Sequence, residues 1–199
     1  MADDKEKQHV RNLFPLLEKI EDTSLQDKVI AAWLRAWHEG PWKSIESAVY
    51  EPVLNVKACT LVQHTNLVAA GALHFGQMVK DTLGLPVNFD SLIAGSLLHD
   101  VAKLVEYGPK GELGQKTDFG KMIHHAYYGG YIALDLGIPI DIVELIVSHT
   151  PQNRAMPRSI EGIILTYLDL MALDVSFFTA GLKIELAIIK RKPSESVSG

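Results

Sequence analysis

The sequence predicts an all-α protein. Nearly every segment between turn signals repeats its apolar residues at helical spacing, and the β-branched alternating runs typical of a sheet are absent. The 199 residues fit one domain, or one domain with an added arm, and suffice to bury a substantial core. With 47% hydrophobic and 22% charged residues, the composition is that of an ordinary soluble globular protein. We therefore expect a helical bundle.

The first part of the chain, 1–45, is predicted to form an N-terminal helical arm. Two amphipathic helices are expected over 5–20 and 24–39, the second ending before Gly40. Three tryptophans lie on or beside the second helix: Trp33, Trp37 and Trp42. We expect them to dock the arm onto the main body or onto a second subunit.

The main body is predicted over 46–190, followed by a disordered tail over 191–199. Its helices are expected over 57–83, 89–106, 121–136, 139–149, 159–173 and 176–190. The glycine-rich, charged connection 107–121 should be an exposed loop and is a candidate lid.

Charge and composition exclude several classes of partner. The net charge of -5 gives no electrostatic case for nucleic acid as an obligate partner. No uncharged apolar run reaches the roughly 18 residues of a membrane span, and Met1 is followed by the charged run ADDKEK instead of a signal peptide. We expect a cytoplasmic protein without membrane attachment. The single Cys59 cannot form an internal disulfide and lies among apolar neighbours, as a core residue would.

The stretch 96-SLLHDVAKL-104 places ionisable side chains within an apolar helix. A buried Asp or His is costly unless it is paired or bound to a metal. His99 shares its helical face with Lys103, while Asp100 is rotated by about 100°, and one metal between His99 and Asp100 would still be within reach of both. Glu106 ends this helix, where it either contacts one of the metal-binding side chains or is solvated.

Other apolar helices also carry inward side chains of the ligand type: His64, His125, His149 and Asp169. His64 is in line with Leu67, Val68, Gly71 and Phe75 on a face that we interpret as inward. His124 points about 100° away from His125 on a helix, so His125 is expected to face inward. A lone inward histidine is more often a hydrogen-bonded core residue, but the coincidence of several favours a metal site. His9, His38 and His74 are expected outside it.

This ordered set resembles the HD-domain superfamily of metal-dependent phosphohydrolases over about 55–175. LLHDVAKL is similar to the family's LLHDIGKL, and HHAYYGGYIALDLGIP to its HAxxGAxIxxxLGxP, with His125 at the ligand position. The resemblance implies one metal held by His64, His99, Asp100 and Asp169. It implies a second metal held by His125 and His149, with Asp100 bridging.

The implied cofactor is a pair of divalent transition-metal ions, and iron, manganese, zinc, cobalt and nickel all suit these ligands. Some family members carry a second histidine directly after the His149 position, where this chain has Thr150. The stretch HDVAKLVEY is also similar to HD domains of certain bacterial exoribonucleases. Their preceding OB-fold has no counterpart here, which disfavours RNA as substrate.

The leading hypothesis is hydrolysis of a phosphate ester or anhydride of a nucleotide or other small phosphorylated metabolite. Asp100 and Lys103 are the predicted catalytic residues, and Lys103 is placed to hold a phosphate oxygen. Arg154 and Lys121, with Lys116, lie on the flanking loops as candidate substrate-binding residues.

Two other functions stay open. A branch of the same superfamily uses a mixed-valent di-iron pair to oxygenate polyols and phosphonates. Its phosphonate oxygenases carry a glutamine where this chain has Leu67, and the segment Tyr50-Glu51 is spaced differently here, which favours hydrolysis. A non-catalytic HD domain is the third hypothesis, although such domains usually lose ligands and this chain keeps them all. The arm also suits a homodimer.

Overall fold

A computed structural model describes residues 3–54, 59–150 and 156–182. These residues are mainly helical, which confirms the all-α prediction. The helices are α1 (Asp4–Leu13), α2 (Thr23–Glu39), α3 (Leu61–Leu83), α4 (Phe89–Leu98), α5 (Lys103–Glu106), α6 (Asp118–Met122), α7 (His125–Asp135), α8 (Ile140–Ser148) and α9 (Ile160–Thr179). Short 3-10 helices span Pro15–Lys19 and Ile45–Ser47, and an antiparallel hairpin pairs β1 (Tyr107–Lys110) with β2 (Leu113–Lys116).

Helix α4 lies at the centre of the bundle. It packs against α2, α3, α8 and α9, and every residue from Ser91 to Leu98 is buried, as expected of a helix that is apolar on all sides. At Gly95 a Cβ would lie 2.6 Å from Leu145 Cδ1, so the glycine allows α8 to lie directly on α4. The C-terminal end of α4 therefore delivers His99 and Asp100 to the middle of the bundle.

The N-terminal helices pack on the main body of the same chain. Trp33 stacks on Phe14 with ring centroids 4.3 Å apart, and its Nε1 donates to the Leu97 carbonyl at 3.0 Å. Trp42 Nε1 donates to the Tyr107 carbonyl at 2.9 Å. Residues of both parts share one apolar core, while the division of the chain at residue 45 remains a prediction.

Two predicted helices are broken in the structure. The helix expected over 5–20 ends at Leu13, because Pro15 cannot donate to a helical carbonyl and a 3-10 turn follows. The helix expected over 89–106 ends at Leu98, and α5 begins only at Lys103. Between them the chain tightens, with Val101 N donating to the Leu98 carbonyl at 3.1 Å.

The predicted loop 107–121 was also wrong in part, because it contains the β1–β2 hairpin and α6. Gly111, with φ of 63°, supplies the left-handed residue of the hairpin turn. The helix expected over 121–136 is interrupted by extended Ile123, and α7 begins at His125. The separate helices expected over 159–173 and 176–190 are one continuous α9 as far as Thr179, and residues from 183 onward lie outside the described residues.

By length and composition, one helix in the described ranges, α9, is apolar enough to cross a membrane. A third of the tested window, 33%, is buried inside the structure, and the helix carries the buried Asp169. The core helix of a soluble protein can have the same length and apolar composition. Here α9 packs against α3, α4 and α8.

Candidate metal centre

His64 enters the site from α3. Its side chain is fully buried, and Tyr50 stacks on it with ring centroids 3.5 Å apart. The expectation that Leu67 and Phe75 share its inward face was wrong, because they are 52% and 48% exposed. Val68 is buried as expected, and the rest of the buried stripe of α3 includes Thr65, Ala69 and Ala72. His64 therefore lies at the edge of that stripe.

A first group of four side chains meets around the His64 ring. His64 Nε2 lies 3.2 Å from His99 Nε2, 3.0 Å from Asp169 Oδ1 and 3.5 Å from Asp100 Oδ2. The four residues each offer a ligand atom within 4.8 Å of the others. This spacing matches a single ion bound between α3, α9 and the end of α4.

A second group meets at the other oxygen of Asp100. Its Oδ1 lies 3.1 Å from His125 Nε2 and 3.5 Å from His149 Nε2. His125 is the first residue of α7, and His149 directly follows α8. The structure thus brings all six predicted metal-binding residues together, with one oxygen of Asp100 facing each group.

Hydrogen bonds fix the tautomer of three of these histidines. Nδ1 of His99 and of His149 each donate at 2.7 Å to a backbone carbonyl, that of Ser96 and of Ile146. Nδ1 of His125 bonds to the Glu106 carboxylate. Carbonyl oxygens and the ionised Glu106 carboxylate only accept hydrogen bonds, so Nδ1 carries a proton in all three rings. Each Nε2 is then directed at the cluster as a potential ligand.

The unpaired polar atoms fit a metal. Both Asp100 oxygens, Asp169 Oδ1 and His125 Nε2 are buried and make no well-aligned hydrogen bond among the described residues, although each lies within 3.1 Å of another polar atom of the cluster. Leaving such atoms unpaired is costly, whereas coordination to a cation satisfies them. Imidazole nitrogen together with carboxylate oxygen is a donor set that suits first-row transition metals. The residues present therefore fit the implied metal pair.

The charges in the cluster support one another. Burial would raise the pKa of Asp100, but the nearby Lys103 and His99 hold it well below its usual range. For His99, burial acts to lower the pKa, and the charge of Asp100 outweighs this and raises it to about 10, so a metal bound at Nε2 would displace a proton from that nitrogen. Burial lowers the pKa of His64 and of His149, which favours their neutral, metal-binding forms.

Lys103 lies beside the shared carboxylate. Its Nζ is 3.1 Å from Asp100 Oδ2 and 2.9 Å from Glu51 Oε1, and it lies 4.0 Å from the centre of the Tyr50 ring. Apart from the comparison with the phosphonate oxygenases, we predicted no role for Tyr50 or Glu51, because they belong to no periodic helix. Their position shortly before His64 was the only available signal.

The other predicted substrate-binding residues, Lys121, Arg154 and Lys116, are not placed beside Asp100 in the described part of the chain. Lys121 is exposed, and its ammonium pairs with Asp118 at 2.7 Å, so the structure does not bring it into the cluster. Arg154 lies outside the described residues. Lys116 pairs with Glu106 at 2.7 Å. Glu106 was expected either to contact a metal-binding side chain or to be solvated. The structure supports the first alternative, because Glu106 is fully buried.

The adjacent His124 is half-buried and caps α7, accepting a hydrogen bond from Ala126 N at 3.3 Å. The prediction placed both neighbours within one helix, but His124 precedes the helix. Its orientation therefore follows from the cap and not from helical rotation. Burial and the neighbouring His125 lower the pKa of His124 to about 4.

The remaining histidines lie outside the cluster, where the sequence placed them. His74 is exposed on α3. His9 pairs with Glu46 at 3.0 Å, and His38 pairs with Glu6 at 3.1 Å, both at the surface.

Comparison with known proteins agrees with this geometry. The HD domain family matches residues 61–174, which contain all six clustered residues. A curated relative, the dihydroneopterin 2',3'-cyclic phosphate phosphodiesterase of Methanocaldococcus jannaschii, is 26% identical over 180 residues, covering 80% of this chain and 67% of its own length. No solved structure gave a significant match. Because the family match spans more than half of the chain and encloses the gathered histidines and aspartates, the chain belongs to the HD domain family, as its motifs predicted.

Proposed function

We propose that this protein is a metal-dependent phosphohydrolase that cleaves a phosphodiester bond in a small metabolite. The observation that carries the proposal is the placement of Asp100. One of its oxygens faces His64 and His99, the other faces His125 and His149, and Lys103 lies next to it. A buried carboxylate shared by two ligand groups is what a two-ion phosphoryl-transfer site requires.

In this proposal one divalent ion would be held by His64, His99, Asp100 and Asp169, and a second by Asp100, His125 and His149. Iron, manganese, zinc, cobalt and nickel all suit these donors. When bound, such a pair neutralises charge on the phosphate and lowers the pKa of an attacking water. The protein fixes the ring orientations through the Nδ1 hydrogen bonds, so that the donors are already in position.

Lys103 is proposed to contact a non-bridging phosphate oxygen. Its ammonium is buried and stays charged, because the charges of Asp100 and Glu51 outweigh the effect of burial and raise its pKa. The carboxylate of Glu51 holds the ammonium at 2.9 Å. A substrate phosphate near this position would meet a cation whose direction is already set. Lys121 and Arg154 stay predictions as further substrate contacts.

The substrate class is suggested by the curated relative, which is a phosphodiesterase of a cyclic phosphate. A cyclic phosphodiester is a small phosphorylated metabolite, the class that the motifs predict. The di-iron oxygenase alternative is not favoured, because the curated relative within this family is a phosphodiesterase. We therefore take 2',3'-cyclic phosphates as the first substrates to test.

The test is a hydrolysis assay on purified full-length protein, loaded in turn with each candidate metal. The panel contains 2',3'-cyclic nucleotides, linear phosphodiesters, phosphate monoesters and nucleoside triphosphates. We expect metal-dependent opening of the cyclic phosphate. His74→Ala is the matched control, since it removes an exposed histidine outside the cluster, and it should retain wild-type activity.

Asp100→Ala should be inactive on every substrate. No hydrolysis with any metal, combined with oxygen uptake by iron-loaded protein, would reject the proposal in favour of oxygenation. Cleavage of monoesters without cleavage of any diester would retain a phosphohydrolase and reject the diesterase.

A further inference from the structure

Glu106 is a buried carboxylate for which the proposed reaction has no use. It is the last residue of α5 and is fully buried. Its Oε2 accepts a hydrogen bond from His125 N at 3.1 Å and another from His125 Nδ1. Its Oε1 lies 2.7 Å from Lys116 Nζ, on strand β2. One side chain thus joins a proposed metal ligand to the hairpin.

The backbone around Glu106 is bound to the same segment. Thr117 N donates to the Glu106 carbonyl at 2.9 Å, and Thr117 Oγ1 donates to the Val105 carbonyl at 2.8 Å. At Gly120 a Cβ would lie 2.1 Å from the Glu106 carbonyl oxygen, so a side chain there would push the two segments apart. The residues that follow β2 therefore hold the end of α5 in place.

The charge of Glu106 suits this position. Burial alone would raise its pKa, but the hydrogen bond from His125 and the ion pair with Lys116 lower it to about 2. The carboxylate is therefore ionised near neutral pH. An ionised acceptor on Nδ1 orients the imidazole ring and makes its Nε2 a better ligand, and this Nε2 lies 3.1 Å from Asp100 Oδ1.

We infer that Glu106 is a positioning residue that fixes His125 for the second metal ion, and that Lys116 fixes Glu106 from the β1–β2 hairpin. The inference rests on the metal centre of the proposed function. The side-chain hydrogen bonds and ion pair of Glu106 reach His125 and Lys116 and not the group around His64, so we expect the hairpin to act mainly on the ion near His125 and His149. A displaced hairpin should weaken only the second ion.

The test is calorimetric titration of Mn²⁺ into chelator-treated full-length protein, with circular dichroism to verify the fold. Glu106→Gln keeps the shape of the side chain and removes its charge. We expect two binding events in the wild type, with the weaker one lowered about 10- to 100-fold in affinity by Glu106→Gln and the tighter one unchanged. Lys116→Met should weaken the same event about fivefold, as expected for a partly exposed ion pair.

Lys110→Met is the matched control, because it removes the same charge from an exposed position on β1, and both affinities should equal those of the wild type. Unchanged affinities in Glu106→Gln overturn the inference, as does equal weakening of both events. If Glu106→Gln fails to fold, the Mn²⁺ titration of Lys116→Met is the test. Wild-type affinities in that variant reject the inference that the hairpin supports the second ion.

The titration measures metal binding and not turnover, so it separates the two proposals. Two bound ions without any hydrolysis would reject the proposed function and leave this inference intact. Hydrolysis by the wild type, with no selective loss of the second ion in either variant, would reject the inference alone. A wild type that binds a single ion overturns the inference.

Discussion

The two ligand groups on either side of Asp100 are supported in different ways. His64 and Asp169 project from α3 and α9, two long helices that pack together along the bundle. His64 Nδ1 is buried and has no hydrogen-bond partner in the described part of the chain. On the other side, His125 begins α7, and its Nδ1 bonds to the ionised Glu106, which Lys116 holds in turn.

This difference indicates two ways of fixing a ligand. Around His64 the position is set by packing, since Tyr50 covers the ring and the neighbouring helices leave no room for it to turn. Around His125 the position is set by a charged hydrogen bond to a short segment that ends at the surface. Packed helices open rarely, whereas hairpins open more readily. We therefore expect the ion near His64 to be the more tightly held.

The largest effect should follow from removing the shared ligand. Asp100→Ala takes a ligand from both groups, so we expect loss of both ions and a fall in activity of roughly a thousandfold or more, because the ions supply several kcal/mol to the transition state. Elemental analysis and the hydrolysis assay measure the two effects, and circular dichroism should show that the helices persist. Full metal content in this variant would contradict the bridging role.

A smaller and more selective effect should separate the groups. Asp169→Asn should lose the ion near His64, whereas His149→Ala should lose only the other one, so each variant should retain about one ion per chain, with activity strongly reduced. Metal content by plasma mass spectrometry, followed by titration, gives the affinity of the remaining ion. If both variants lose both ions, the two positions are not independent and the comparison between them fails.

The sequence predicted which side chains cluster better than it predicted the elements that carry them. Residue types and their order were sufficient to select His64, His99 and Asp100, because a family motif is read from identity and not from backbone geometry. The break between Leu98 and Lys103 was missed because every residue there is compatible with a helix, and only tertiary packing makes the chain tighten.

The hairpin and the contacts of Glu106 could not be predicted from the sequence, for a different reason. Strands β1 and β2 are only four residues each and contain glycine and proline, so no alternating pattern identifies them. The sequence left open whether Glu106 was solvated, because its partners Lys116 and His125 are distant in the sequence. Long-range pairing of charges depends on the fold, and a single sequence does not report it.

Two tryptophans of the arm offer a third test, since each bonds to a carbonyl beside one side of the site. Trp33 Nε1 reaches the carbonyl of Leu97, two residues before His99, and Trp42 Nε1 reaches the carbonyl of Tyr107, at the start of the hairpin. Replacing either with Phe leaves a buried carbonyl unpaired and should cost about 1–3 kcal/mol of the free energy of unfolding.

Metal titration then distinguishes the two tryptophan variants. Trp42→Phe should also weaken the ion near His125, because the hairpin is loosened, while Trp33→Phe should affect the ion near His64 more. Denaturant unfolding gives the stability change in each protein. Identical effects of both variants on both ions would mean that the arm stabilises the site only as a whole.

The smallest expected effect concerns pH. The folded pKa of His124 is about 4, below its ordinary value of 6.5, so the unfolded chain takes up a proton on this residue at a higher pH than the folded chain does. Stability contributed by the neutral His124 is therefore present above pH 6.5 and is lost as pH falls toward 4.

His124→Asn keeps a residue that caps helices well and removes the titration. The free energy of unfolding, measured between pH 4 and 7 in both proteins, should fall less steeply with acid in the variant, with little change in metal binding. Equal slopes would contradict the assignment of this part of the pH dependence to His124, and loss of the second ion in the variant would show that His124 belongs to the support of His125 together with Glu106.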